Sequence, residues 1–130
     1  GNSMKKRIIA MSLALVFVLL TASIGLANVG LQSVSSSSNI TASGRTVGYS
    51  GLTRSSNTEP NISVSITLKR LVDGQWQYVD STSNYKTNSS EVSKSDSCTV
   101  TGGYYYKAFA THCSTSGGTS YTESKQIWVA

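Results

Sequence analysis

Between Asn61 and Val79 the chain reads NISVSITLKRLVDGQWQYV. Ile62, Val64, Ile66 and Leu68 alternate with Ser63, Ser65 and Thr67, the period-two signature of a half-buried strand. Asp73-Gly74 then turns the chain, and Trp76 and Tyr78 resume the alternation. Two hairpin registers are open. A two-residue loop sets Leu71 opposite Trp76 and Leu68 opposite Val79, so that Trp76 and Tyr78 leave the Ile62–Leu68 face. A three-residue loop, Val72-Asp73-Gly74, sets Arg70 opposite Trp76 and Leu68 opposite Tyr78, which gathers the large apolar groups on one face. A one-residue slip turns half of the apolar set towards water. The three-residue loop, with Gly74 left-handed, is therefore the expected register.

Upstream, Gly1-Asn2-Ser3 reads as a cloning scar and Met4 as a start. Lys5, Lys6 and Arg7 precede an uncharged run, Ile8 to Leu20, and Gly25-Leu26-Ala27 supplies small residues at a cleavage position. Residues 4–27 are thus expected to be a signal peptide cut before Asn28. The alternative is an uncleaved anchor. Loss of the signal removes three of eleven basic residues, so the net charge falls from +5 to +2. The remaining cations are scattered, whereas nucleic-acid binders show a basic stripe or patch; no nucleic-acid partner is expected. Contact with a membrane is expected only through the signal before cleavage. No sorting motif follows Trp128-Val129-Ala130, so release to the outside is the expected localisation.

The expected mature chain, 28–130, is one domain with about a third Ser and Thr, which suits strands with hydroxyl-rich outer faces. Residues 28–39 are read as a flexible N-terminus or a weak first strand, and 40–130 as the β domain. Thr53–Pro60 and Ser81–Ser90 read as polar loops. In Glu91–Val100 the residues Val92, Cys98 and Val100 share one phase. After Gly102-Gly103 the even residues Tyr104, Tyr106, Ala108 and Ala110 fit a core, and Lys107 marks the odd phase as solvent-facing. The last strand falls within Tyr121–Val129. Six or seven strands at regular spacing predict an all-β, antiparallel two-sheet sandwich.

The stretch VTGGYYYKAFATH, a Gly-rich loop and a closing strand resemble the last three strands of immunoglobulin-like and fibronectin-III-like sandwiches. There a tyrosine after a glycine caps the corner between sheets with its hydroxyl; Tyr104 and Tyr106 are both candidates. SVSITLKRLVDGQWQYV, VSKSDSCTVTGGYYYKAFATH and GGTSYTES together resemble small exported β-sandwich proteins of Gram-positive bacteria, a family of unknown function. The resemblance implies export and fold. It carries over no catalytic or binding residue.

Chemistry is sparse. His112 and Cys113 are adjacent, so on a strand they face opposite ways and do not form the pair that activates a thiol. One His and two Cys fall short of a closed zinc site, and no motif calls for a cofactor. Cys98 and Cys113 are an even pair in an exported chain, which favours a disulfide. Against it, a regular hairpin leaves Cys113 about six residues, or roughly 20 Å, beyond the level of Cys98. Both states stay open. No carboxylate pair or nucleophile elbow stands out, and no enzyme is expected. Tyr105 and Phe109 fall in the outward phase, and Tyr121 or Trp128 on the next strand joins them in a candidate row of rings. Such a row stacks on sugars or docks a protein, unless other groups cover it. The expected function is a non-enzymatic extracellular structural or interaction module, with a glycan or an extracellular protein as partner. A secreted bacteriocin-like factor is the alternative, although no amphipathic helix supports membrane attack.

Overall fold

A computed structural model of the chain describes residues 34–130. The signal-peptide reading of 4–27 and the first part of 28–39 lie outside the described residues. Every regular element within them is a strand: β1 (Val34–Ser43), β2 (Thr46–Val72), β3 (Gln75–Thr99), β4 (Tyr104–Ser114), β5 (Gly118–Glu123) and β6 (Ile127–Val129).

All pairing is antiparallel, and β2 organises it. Its first part pairs with β1, from Val34↔Ser55 to Ser43↔Thr46, and with the end of β3, from Arg54↔Glu91 to Thr46↔Thr99. After a register shift between Arg54 and Glu59, its second part pairs with the start of β3, from Asn61↔Thr87 to Val72↔Gln75. The same part pairs with β4, from Ile62↔Ser114 to Arg70↔Tyr106, and β4 carries β5 and β6. One six-stranded network is thereby folded over at the 54–59 corner into two layers. The described residues form an all-β antiparallel sandwich.

The buried phase of β2 changes at that corner. Odd residues face inwards before it (Val47, Tyr49, Gly51, Thr53, Ser55) and even residues after it (Ile62, Val64, Ile66, Leu68). The core lies between the layers, with Ile40 and Val92 from one side and Tyr106, Ala108, Ala110 and Val129 from the other. Burying the four aliphatics of Ile62–Leu68, each fully covered, is worth roughly 1.5–3 kcal/mol apiece. The corner tyrosine is Tyr106. Its buried ring directs the hydroxyl to donate to the Thr101 carbonyl at 2.5 Å, and Tyr104 packs edge-on against it with centroids 6.5 Å apart.

The hairpin takes the other register. Val72 pairs with Gln75 and Leu71 with Trp76, so the loop is Asp73-Gly74 alone, with φ of 50° and 80°. Positive φ at both central residues is the turn whose twist matches the flanking strands. That match outweighs the gathering of Trp76 and Tyr78 into the core. A bulge between Leu68 and Lys69 then sets Leu68 opposite Asp80 rather than Val79. Tyr78 remains on the outer face, and Asp80 turns inwards to accept a hydrogen bond from the Tyr49 hydroxyl at 2.7 Å.

The two polar stretches read as loops are strand as well. Ser81–Ser90 pairs with the second part of β2, and Thr53–Pro60 forms the corner within it. Their composition misleads because, among the described residues, β3 is an edge strand along its whole length, bonded only to β2. Polar residues are tolerated on such a strand on both faces.

Gly51 marks the closest approach of the layers. A Cβ there would stand 2.8 Å from Ile66 Cγ1 and 2.9 Å from Val64 Cγ2, across the core. Gly51→Val is expected to overpack the core and cost about 1–3 kcal/mol, which thermal unfolding measures as a fall in Tm of roughly 4–8 °C per kcal/mol. An unchanged Tm would contradict this inter-layer contact.

Candidate functional site

His112 is buried on the inner face of β4, while Cys113 points outwards beside Thr119, with Sγ 3.6 Å from its Oγ1. The imidazole bridges the layers. Nδ1 lies 2.8 Å from Thr53 Oγ1, and Nε2 lies 2.8 Å from Thr122 Oγ1. Thr53 gives its single hydroxyl proton to the Ser63 carbonyl at 3.0 Å, and Thr122 gives its own to Ser38 Oγ on β1 at 3.1 Å, so the ring links both threonines into one chain of polar contacts. Burial pushes the imidazole below its ordinary pKa, which keeps the ring neutral. His112 is a tie between layers, and among the described residues Cys113 has Thr119, not a base, beside it.

The cysteines are free thiols and the candidate bridge is not made. Cys98 stands opposite Val47 against the core of one layer, and Cys113 stands opposite Ser63 on the outer face of the other. Their side chains therefore diverge. Burial first, and then the neighbouring Asp80 and Asp96 carboxylates, push the Cys98 thiol up, which makes it a poor nucleophile.

Glu59 is 1% exposed and has no cation against it among the described residues. It accepts from the hydroxyls of Ser55 at 2.5 Å and Ser116 at 2.6 Å, and from the Ser116 N–H at 2.9 Å. Burial raises its pKa, but these three bonds outweigh burial and hold the carboxyl below its ordinary value. The clasp fastens the corner of β2 to the β4–β5 turn.

The outer face of the β3–β2–β4–β5/β6 layer carries the aromatic groups. Tyr105 and Trp128 are cross-strand partners with centroids 5.0 Å apart, edge to face. Tyr121 stands opposite Thr111, one row beyond the Phe109↔Glu123 pair. Tyr105, Tyr121 and Trp128 are 42%, 49% and 54% exposed. Phe109 is only half-open. Trp76 packs on it edge-on at 5.5 Å, and the Lys69 and Lys107 ammonium groups lie 4.9 Å and 5.6 Å from its centroid. Lys107 also lies 5.3 Å from the Trp76 centroid and pairs with Glu123 at 2.8 Å. Phe109 is thus a support for this face rather than a free platform.

Three further rings join the face: Trp76, Tyr78 and Tyr85. Tyr78 and Tyr85 are its most exposed rings, and the Tyr85 hydroxyl donates to Asn61 Oδ1 at 2.5 Å. Sequence reasoning placed Trp76 and Tyr78 in the core through the hairpin register, and Tyr85 in a loop. The Asp-Gly pair is the signal that finds the first two, because it favours a two-residue loop.

No protein-family model matches the chain, and no curated protein does. Among solved structures the chain is similar to CsgH of R. palustris, with 11% identity and a TM-score of 0.44, over 71% of this chain and 89% of that one. It is also similar to the sporulation control protein Spo0M of Bacillus subtilis (10%, TM-score 0.45, 75% of this chain and 49% of that one). A third is the CARDB domain of the PF1109 protein of Pyrococcus furiosus (10%, TM-score 0.45, 76% and 89%). At these scores the likeness carries nothing about function; the sandwich assignment rests on the chain's own strand pairing.

His112 and Glu59 both make the domain acid-labile. His112 has a lowered folded pKa, so its contribution is complete above its unfolded value of 6.5 and is lost as pH falls through the folded value. Glu59 acts in the same direction but from its own ordinary value of 4.5 downwards. Thermal melts are expected to show Tm falling from about pH 6.5, with a second decline in the carboxylate range. His112→Gln is expected to remove the first decline; a variant that keeps it would contradict the assignment.

Proposed function

We propose that the domain is a non-enzymatic, extracellular binding module, and that it binds through the outer face of the β3–β2–β4–β5/β6 layer. The observation that carries this reading is the grouping of Tyr78, Tyr85, Tyr105, Tyr121 and Trp128, each at least two-fifths exposed, on one sheet face. Exposed rings grouped on one face mark interaction surfaces. Their area comes at low conformational cost, since each ring has only two side-chain torsions. The face alternates those rings with hydroxyls, among them Ser63, Ser65, Thr67, Ser81, Ser83 and Thr111. Rings for stacking and hydroxyls for hydrogen bonding suit a glycan or a polar protein surface.

Export is supported by the charged, apolar and small-residue segments of 4–27 and by the resemblance to exported proteins of Gram-positive bacteria. A non-catalytic role is supported by the use of His112 as an inter-layer tie and by the divergent settings of His112 and Cys113.

The chain's two tryptophans, Trp76 and Trp128, both lie on the proposed face, so intrinsic fluorescence reports on it directly. Full chain screened on a glycan array and on bacterial surfaces is expected to find a ligand that changes this fluorescence. Tyr105→Ala and Trp128→Ala are each expected to weaken binding about fivefold or more, the loss typical of a central ring, with Tm unchanged. Binding indifferent to both substitutions would remove the face from the reading.

A further inference from the structure

Two cations stand in the middle of the aromatic face. Lys69 on β2 and Lys107 on β4 are direct cross-strand partners, and Tyr78 on β3 stands on the other side of Lys69. Like charges directly opposite each other destabilise a strand pair, and conflicts of this kind concentrate at functional sites. The fold relieves this one only in part. Glu123 pairs with Lys107 at 2.8 Å. Both ammonium groups also lie over the Phe109 ring, at 4.9 Å and 5.6 Å from its centroid. A ring face attracts a cation through its quadrupole but carries no net charge, so the charge of Lys69 is not cancelled.

No carboxylate of the chain pairs with Lys69. All six acidic side chains lie among the described residues, and five are engaged or placed elsewhere. Glu59 sits in its buried clasp, Asp80 accepts from the Tyr49 hydroxyl, and Glu91 pairs with Arg54. Asp96 stands opposite Tyr49 in the other layer, with Oδ1 accepting from the Ser97 N–H at 2.8 Å, and Asp73 occupies the hairpin turn. Two lysines against Glu123 leave the centre of the face with one positive charge in excess. Rings surround that charge, and hydroxyls of Thr67 and Thr111 lie in the adjoining rows.

We propose that the ligand of this face is an acidic polysaccharide, a chain of carboxylate-bearing sugars, and that Lys69 and Lys107 select it by charge. The proposal rests on the reading of this face as the binding surface. A uronic acid combines an apolar C–H face with one carboxylate at the rim of the same rigid ring. Stacking that ring on an aromatic group sets the carboxylate beside an ammonium, which matches the single excess charge. An acidic peptide carries its carboxylates on flexible stems without a stacking face, so more freedom is lost on binding.

The probes are polygalacturonate, the same polymer with its carboxyls reduced to alcohols, dextran sulfate and polyglutamate. Each is titrated into the full chain with tryptophan fluorescence as the readout. Polygalacturonate is expected to bind, more weakly as salt rises, and the reduced polymer to lose most of the affinity. Lys69→Gln and Lys107→Gln are each expected to weaken binding severalfold, whereas Glu123→Gln frees Lys107 and strengthens it severalfold. Lys94→Gln and Glu91→Gln make the same charge changes on the other layer and are expected to leave affinity unchanged. Lys69→Gln also removes the like-charge contact, so its Tm is expected to hold or rise, which separates lost binding from lost fold. Equal binding of the reduced polymer, or lysine variants that bind like wild type, overturns the proposal. Preference for polyglutamate points to an acidic protein, and preference for dextran sulfate to a general polyanion surface; either overturns it as well. A neutral ligand still lost with Trp128→Ala overturns this proposal and leaves the binding face standing. Charge-dependent binding indifferent to both Tyr105→Ala and Trp128→Ala removes the aromatic face from the reading and this proposal with it.

Discussion

At Glu59 a fully buried carboxylate accepts three hydrogen bonds, two from Ser116 and one from Ser55. It does so where β2 leaves one layer and enters the other. A bare buried charge costs several kcal/mol; here short hydroxyl and amide donors replace the lost water. The position matters more than the bond count. β2 is the strand to which β1, β3 and β4 all pair, so the angle and phase of its corner decide how the two layers meet. The change from odd to even inward residues across 55–62 happens at this clasp.

A second polar chain, Ser63–Thr53–His112–Thr122–Ser38, crosses the core one step away. It joins both halves of β2 to β1, β4 and β5. The polar links supply geometry, and the aliphatic rows of β2 and β4 supply most of the driving force. The close approach at Gly51 shows how little slack remains between them. An interior tied in this way leaves the outer faces free to differ. One layer, of β1, the start of β2 and the end of β3, presents mainly Ser and Thr outwards. The other presents seven aromatic rings, some braced by Lys69 and Lys107 and others open.

Reading the residues in order recovers the inner face well. The alternation of Ile62–Leu68 and of Tyr104–Ala110 appears in the structure as written, because every core position is paid in the same apolar currency along a strand. The outer face was less legible. Tyr105, Tyr121 and Trp128 were found from phase alone, whereas Trp76 and Tyr78 were drawn inwards by the rule that large rings belong in cores. Trp76 takes its cover instead from Phe109 and Lys107, partners distant in sequence that no local pattern reveals, and Tyr78 stays open. Tyr85 was lost because STSNYKTNSS is polar on both sides, as an edge strand is free to be.

The amino-acid sequence by itself determined the all-β class of fold, the apolar phases of Ile62–Leu68 and Tyr104–Ala110 and the left-handed glycine at the hairpin. These follow from period, turn chemistry and steric limits acting over a few residues. Tertiary structure alone decided the hairpin register, the choice of Tyr106 over Tyr104 at the corner and the separation of Cys98 from Cys113. It also decided which rings remain open. Each of those depends on what lies across a strand or a layer, and that neighbour is set by the folding of β2 at its corner.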